Sequence, residues 1–140
     1  MQSIKFACPK TDTPFGQMFH PCIPVGVLLN SGKYQTFEFI LDSGADCTIV
    51  PRFLANMTGI KLPPKPDEYM TSADGISMPC YKGNLSLKIK EHELSVRCLF
   101  TEFDTTPFLI GRIDFFATFK ILFDGDECSV VLVKRKSKLT

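Results

Sequence analysis

Short apolar runs, separated by turn residues, recur along most of this chain. In one stretch Leu85, Leu87 and Ile89 alternate with Ser86 and Lys88, which predicts a strand with one face toward the core and one toward water. Turn signals at intervals of about eight to twelve residues indicate an all-β barrel or closed sandwich. Strands are predicted, in chain order, at residues 23–29, 34–41, 47–50, 69–72, 76–81, 85–89, 94–100, 108–110, 120–123 and 128–133.

Only two short helices are predicted between the strands. Pro51 opens a short helix at about residues 52–57, which should end at Gly59, and a second short helix is expected at 112–119. Residues 60–68 contain three prolines. They are predicted to be a loop, because proline breaks both helices and central strands.

The two ends of the chain differ from its centre. Residues 1–21 mix prolines, a glycine and polar side chains, which predicts an irregular N-terminal arm. Residues 134–140 form a basic tail that we expect to be mobile.

Composition narrows the class of protein. With 140 residues, of which 44% are apolar and 22% charged, the chain is expected to form one globular domain. The net charge of +1 argues against nucleic-acid or membrane binding over the whole surface. No apolar run is long enough to span a membrane and no leader is recognised, so a cytoplasmic protein is expected.

The cysteines do not form a metal-binding pattern. No two are spaced as C-x-x-C and the chain has only two histidines, so neither a metal nor another cofactor is expected. An even number of cysteines permits disulfides, but in a cytoplasmic protein we expect reduced, buried thiols, three of them (Cys47, Cys98 and Cys128) within apolar strands. The six are Cys8, Cys22, Cys47, Cys80, Cys98 and Cys128.

The segment 39–50 carries the candidate chemistry. An apolar strand runs into Asp42, a hydroxyl residue and a glycine, and continues as a second apolar strand. A charge between two core-seeking strands costs several kcal/mol unless the turn lifts it out of the core or partners satisfy it. A carboxylate on such a turn is well placed for acid–base chemistry.

Two motifs in order resemble the retroviral-type aspartic proteases, the retropepsin-like family. Residues 41–46 read Leu-Asp-Ser-Gly-Ala-Asp and residues 109–112 read Leu-Ile-Gly-Arg, with a predicted hairpin at 69–81 between them. The resemblance covers about residues 22–133, the predicted protease domain. It implies a single-domain closed β-barrel with one or two short helices.

The family resemblance also implies the mechanism. Each subunit of a homodimer supplies one aspartate, and the two carboxylates share a proton around one water, because two like charges that close do not both ionise. Only one Asp-Ser/Thr-Gly triplet is present here, so an active enzyme requires a homodimer with both Asp42 side chains at its axis. The expected substrate is a peptide or protein.

The same resemblance implies roles for the residues that follow Asp42. Ser43 should hydrogen-bond across the dimer axis, although a local turn bond is the alternative. Gly44 allows the backbone to come close to its neighbours. Ala45 and Asp46 are expected to contact substrate, and Asp46 should also form a partly buried, bidentate pair with Arg112, an exposed strand-end carboxylate being the alternative.

Two further segments complete the predicted site. The hairpin tip, Ala73, Asp74, Gly75 and Ile76, is the candidate flap over the substrate, and an ordinary surface hairpin would have the same sequence pattern. Gly111 and the helix after it are expected to pack beneath the Asp42 loop.

Two other functions compete with the protease. A catalytically silent protease-like module would bind peptides or dimerise without hydrolysis, but it has no evident need for the charge of Asp42. A nucleic-acid-binding barrel would rest on the basic tail, and the strands carry no stripe of basic and aromatic residues to support it.

Overall fold

The computed structural model describes residues 3–71 and 74–137. Within these residues the chain is mostly β-strand with two short helices, which confirms the all-β class. In chain order the elements are β1 Ser3–Ala7, β2 Lys10–Thr13, β3 Gly16–Phe19, β4 Cys22–Leu28, β5 Tyr34–Leu41, β6 Thr48–Pro51, α1 Phe53–Thr58, β7 Glu68–Thr71, β8 Ser77–Ile89, β9 His92–Thr101, β10 Leu109–Ile110, α2 Phe115–Thr118, β11 Phe119–Asp124 and β12 Ser129–Lys134.

Seven strands form the main sheet, in the order β4-β5-β10-β6-β9-β8-β7. A second pairing of β8 places Gly26 opposite Lys88 and Val27 opposite Leu87, so that β8 also lies beside β4 at the other end of this order. The length of β8 makes both pairings possible, because one half pairs with β7 and the other half reaches β4. The predicted strands at 76–81 and 85–89 are therefore one continuous strand.

The core contains buried side chains from the main sheet, from both helices and from the sheet formed by β1, β12 and β11. Leu85, Leu87 and Ile89 are buried while Ser86 between them is exposed, as the alternation predicts. The helix α1 ends at Gly59, which has a left-handed φ of 77°, as expected of a glycine at this position. The largest fully buried side chains include Phe39, Phe100, Phe115, Phe119, Ile23, Leu54 and Ile110.

The prediction of an irregular N-terminal arm is wrong. Residues 3–7 form a strand that pairs antiparallel with β12, from Ser3 opposite Val133 to Ala7 opposite Ser129. Residues 10–19 form the β2–β3 hairpin. Pro9 and Pro14 lie between strands rather than inside them, so they separate the elements instead of preventing them.

The C-terminal region also differs from its prediction. The helix expected at 112–119 is shortened to α2, because Arg112 and Ile113 donate backbone hydrogen bonds to the Asp42 loop and Phe119 begins β11. The first two residues of the predicted mobile tail are held in place, since Lys134 belongs to β12 and the Nε of Arg135 donates to the carbonyl of Phe116 at 3.0 Å. Residues 138–140 of that tail lie outside the described residues.

The expectation of six buried thiols is only partly correct. All six cysteines are free, and Cys8, Cys80 and Cys98 are buried. The other three are half-buried. Cys47 and Cys128 lie in turns and not in strands, because β6 begins at Thr48 and β12 at Ser129.

Replacing Phe100 by Ala should lower the free energy of unfolding by about 3–5 kcal/mol, because the ring is fully buried and its removal leaves a cavity. The control is Leu122→Ala on the exposed face of β11, which should change it by less than about 0.5 kcal/mol. Urea denaturation measures both, and equal losses would contradict the assignment of Phe100 to the core.

Candidate active site

Asp42 lies where β5 ends, on a turn that leads into β6. The short strand β10 runs between β5 and β6, parallel to the first and antiparallel to the second. The backbone N–H of Asp42 donates to the carbonyl of Ile110 at 2.9 Å, and that of Ile40 donates to the carbonyl of Phe108 at 2.9 Å. The two sequence motifs are thus adjacent in space, although some sixty residues separate them.

The turn formed by residues 42–46, called the Asp42 turn below, is stabilised by its own backbone. The N–H of Gly44 donates to Oδ1 of Asp42 at 2.9 Å, and the N–H of Ala45 donates to the Asp42 carbonyl at 3.2 Å. Asp42 is half-buried, and its Oδ2 accepts no hydrogen bond from the described part of the chain. The carboxylate is therefore oriented on one side and open to a proton donor or a water on the other.

Gly111 makes the closest backbone approach in the site. A Cβ atom at this position would lie 2.2 Å from the carbonyl oxygen of Cys47. Its N–H points to Oγ1 of the buried Thr48, 3.4 Å away. Only a residue without a side chain fits, which places the second motif directly against the end of the Asp42 turn.

The residues after Gly111 continue this contact. The N–H of Arg112 donates to the carbonyl of Ala45 at 2.9 Å, and the N–H of Ile113 donates to the carbonyl of Asp46 at 2.8 Å. Gly111 and Arg112 therefore lie beside the Asp42 turn, and their support of a catalytic site stays a prediction.

The side chains of Asp46 and Arg112 form an ion pair, with 2.6 Å between Oδ1 and Nη2. The pair differs from the partly buried, bidentate pair expected from the sequence. Asp46 is 82% exposed and Arg112 is 56% exposed in the single chain. Water screens a pair this exposed, so it contributes little to the stability of one chain.

A bidentate pair does occur nearby, between Arg97 on β9 and Asp114. Nε and Nη2 of Arg97 donate to the two carboxylate oxygens at 3.0 and 2.9 Å, and the Arg97 backbone N–H donates to Oδ2 at 2.8 Å. Asp114 raises the pKa of the Arg97 guanidinium further. Asp114 has a positive φ of 70°, a conformation that these bonds stabilise.

Ser43 and Gly44 are exposed at the tip of the Asp42 turn. Within the described residues the hydroxyl of Ser43 has no hydrogen bond, so the local turn bond considered from the sequence is not formed. The predicted bond to a second copy stays a prediction.

The candidate flap is the tip of the β7–β8 hairpin. Gly75 has a positive φ of 86°, and the N–H of Ile76 lies 3.3 Å from Oδ1 of Asp74. Ile76 is among the exposed apolar residues. Ala73 lies outside the described residues, and closure of this hairpin over Asp42 stays a prediction.

A cluster at the base of this hairpin was not predicted. Arg52, before α1, donates through Nη1 to the hydroxyl of Tyr81 at 3.0 Å and to Oε1 of Glu102 at 2.8 Å, and its guanidinium lies 4.8 Å from the Tyr81 ring centre. The Tyr81 hydroxyl donates to Glu102, and this bond is the main cause of the raised pKa of Tyr81. The three residues are far apart in sequence, and no local pattern indicates their contact.

A pocket of about 540 Å³ opens beside the Asp42 turn and was also not predicted. Cys47, Tyr69, Lys82 and Arg97 are among its lining residues. It depends on the side-by-side placement of β7, β8 and β9. Because local periodicity predicts a strand but not its neighbours, the pocket has no signal in the sequence.

Burial and neighbouring charge raise the pKa of two thiols at this pocket. Burial is the main cause for Cys98, whose pKa rises to about 12, and the Cys47 charge adds to it. For Cys47 burial again comes first, followed by the charge of Asp46. Neither thiol is therefore activated as a nucleophile.

No group of three His, Cys, Asp or Glu side chains in residues 3–71 and 74–137 is arranged to hold a metal ion. The helices in the same ranges are all too short or too polar to cross a membrane.

Comparison with known proteins shows the family to which the chain belongs. A sequence profile described as aspartyl protease matches residues 25–113, well over half of the chain and both motifs. The chain belongs to the aspartyl protease family. No curated protein sequence matches it.

Among 175 solved chains that match this chain, one is a retropepsin-like aspartic protease from Rickettsia conorii. It is 18% identical, with a TM-score of 0.63, and the match covers 94% of this chain and 99% of that chain. Another is EIAV protease complexed with the inhibitor HBY-793, 19% identical over 66% of this chain and 82% of that chain, with a TM-score of 0.49. The first likeness shows that the fold is retropepsin-like, as the motifs predict.

Gly111→Ala should lower the free energy of unfolding by at least about 2 kcal/mol, because the added methyl group meets backbone atoms of Cys47 that cannot rotate away. Gly125→Ala is the matched control, since nothing lies within 4 Å of its Cβ position and its φ is not positive. It should change stability by less than about 0.5 kcal/mol. Denaturant unfolding of both variants checks the prediction, and a harmless Gly111→Ala would contradict it.

The buried Cys98 thiol should make stability depend on pH in the alkaline range. The pKa of this thiol is about 12 in the folded chain against an ordinary value of 9.0, so the folded chain holds the proton more tightly than the unfolded chain. The thiol's contribution to the free energy of unfolding is therefore fully present below pH 9 and is lost as the pH rises toward 12. Cys98→Ala should reduce the slope of stability against pH in this window by up to about 1.4 kcal/mol per pH unit. Denaturation at a series of pH values measures the slope, and identical slopes would show that Cys98 is not buried as a neutral thiol.

Proposed function

We propose that this chain is one half of a homodimeric aspartic endopeptidase, with residues 22–133 as its protease domain. The observation that carries the proposal is the carboxylate of Asp42, which is held by the backbone on one side and open on the other. The chain contains only one such triplet, so the second carboxylate comes from a second copy.

The two Asp42 carboxylates would meet at the two-fold axis of the dimer. Two carboxylates in contact share one proton, because the ionised form of one disfavours ionisation of the other. The ionised partner takes a proton from a water as the water oxygen attacks the scissile carbonyl carbon. The protonated partner donates its proton to the carbonyl oxygen, and the tetrahedral intermediate then breaks its C–N bond as a proton reaches the leaving amine.

Ser43 and Gly44 would maintain this geometry. The exposed hydroxyl of Ser43, which has no partner in the described chain, is available to a second copy across the axis. Gly44 has no side chain to separate the two turns, and its N–H orients the Asp42 carboxylate.

The substrate would bind as an extended strand between the Asp42 turn and the flap. Ala45 and Asp46 would form the floor of this cleft, while Gly111 and Arg112 support the floor from behind through the bonds described above. The flap tip, Ala73, Asp74, Gly75 and Ile76, would close over the peptide, exclude water and offer main-chain hydrogen bonds.

The test is Asp42→Asn, compared with Asp126→Asn as a matched control in an exposed turn of the same chain. Digestion of a peptide library between mildly acidic and neutral pH should show that Asp42→Asn lowers kcat/KM at least about 10³-fold, because the general acid and the general base are both lost. Asp126→Asn should cleave like the wild type. Sedimentation should find both variants dimeric.

Cleavage that survives Asp42→Asn would overturn the proposal, as would a wild-type chain that cleaves while monomeric. A dimer that binds peptides and hydrolyses none at any pH tested would support the catalytically silent module instead.

A further inference from the structure

The strands β1 and β12 bring two cysteines together where their pairing ends. The last paired residues of the two strands are Ala7 and Ser129. One position further, the backbone N–H of Cys8 donates to the carbonyl of Cys128 at 2.9 Å, and both thiols are free. The antiparallel ladder therefore continues to these two cysteines and places them opposite each other, although they lie near opposite ends of the chain.

The backbone separation of this pair suits a disulfide. Residues that lie opposite each other in an antiparallel ladder have Cα atoms about 4.5–5.5 Å apart. Disulfides occur at Cα separations of about 4.4–6.8 Å. Because the hydrogen bond already joins the backbones of Cys8 and Cys128, a link between them requires rotation of the side chains and not a movement of the strands.

The two thiol groups are also close enough to interact. Cys8 is buried, and burial is the main cause of the raised pKa of its thiol, which negative charge on Cys128 raises further. Such an interaction weakens with distance, so it indicates that the two sulfur atoms are near each other. Cys128 is half-buried and its S–H points to the carbonyl of Gly125 at 3.6 Å, a weak bond that rotation of the thiol breaks at little cost.

A third cysteine lies beside Cys8. The S–H of Cys8 points to the carbonyl of Cys22 at 3.5 Å, and Cys22 is half-buried like Cys128. Cys22 begins β4, which pairs with β5 and β8 and not with β1 in the described part of the chain. Cys128 is the favoured partner, because only its backbone is held opposite Cys8 by the ladder.

We propose that Cys8 and Cys128 are an oxidisable pair, which a low-molecular-weight disulfide such as oxidised glutathione converts into an intrachain disulfide between β1 and β12. The link closes a loop that contains most of the chain. A cross-link that closes a long loop removes much conformational freedom from the unfolded chain, so oxidation stabilises the fold. This role goes beyond the proposed protease function and does not depend on it.

The oxidation takes place in two exchange steps. The thiolate of Cys128, the more accessible of the two cysteines, attacks one sulfur of the small disulfide, forms a mixed disulfide and releases one small thiolate. Cys8 then loses its proton to solvent, and its sulfur attacks the Cys128 sulfur and releases the second small thiolate. The two cysteines lose two electrons, which reduce one small disulfide to two thiols.

The first experiment maps the link. The full chain is incubated with oxidised glutathione at about pH 8, where thiolates begin to form, and the remaining thiols are blocked with N-ethylmaleimide. Trypsin separates the three cysteines, because residues 6–10 contain Cys8, residues 11–33 contain Cys22 and residues 121–134 contain Cys128. Mass spectrometry should find residues 6–10 joined to residues 121–134, and the undigested chain should keep the mass of a single copy.

The second experiment measures the melting temperature of the same samples. The linked chain should melt at least about 5 °C above the reduced chain, because the unfolded state has lost freedom, and dithiothreitol should remove this gain. Cys128→Ser should form no link to Cys8 and show no gain. Cys22→Ser is the matched control at another half-buried cysteine, and it should form the link and gain stability like the wild type.

Glutathione adducts without an intrachain link would overturn the proposal. A link from Cys8 to Cys22 would also overturn it, as would a link to Cys128 found only in material of twice the chain mass. A Cys8–Cys128 link that leaves the melting temperature unchanged would rule out the stabilising role. None of these measurements uses peptide cleavage, so their failure leaves the proposed protease function untouched.

Discussion

The site depends on one close backbone contact, that of Gly111 with the carbonyl of Cys47. It allows β10 to lie between the two strands that flank the Asp42 turn, so that Ile110 accepts the hydrogen bond of the Asp42 N–H. The backbone N–H groups of Arg112 and Ile113 donate to the carbonyls of Ala45 and Asp46, at the end of the turn. The position of the carboxylate is therefore determined mainly by backbone bonds, which have fewer alternative geometries than side-chain contacts.

The charged side chains around the site divide into two kinds. Arg97 and Arg52 donate hydrogen bonds to the carboxylates of Asp114 and Glu102, and these bonds connect β9 and the base of the β7–β8 hairpin to other segments of the chain. The Asp46–Arg112 pair lies in the open and contributes little to a single chain. In the proposed dimer, a second copy over the Asp42 turn would remove water from this pair and strengthen it.

The sequence predicted the central strands well because their signals are local. Apolar alternation identified the buried face of β8, and α1 is followed by Gly59, where the sequence predicted the helix to end. The N-terminal strand was missed because its partner, β12, lies more than a hundred residues away. The second helix was predicted too long, because the backbone N–H groups of Arg112 and Ile113 donate to the Asp42 turn and these two residues are not part of the helix.

By itself the sequence determined the fold class, the two motifs and the single Asp42 triplet, since each depends on neighbouring residues or on simple counting. Only the tertiary structure decided that the bidentate pair is Arg97–Asp114, that Arg52 and Tyr81 meet at the base of the β7–β8 hairpin, and that β1 pairs with β12. The reason is physical: local pattern selects which side chains face the core, whereas pairing and register follow from the packing of the whole chain.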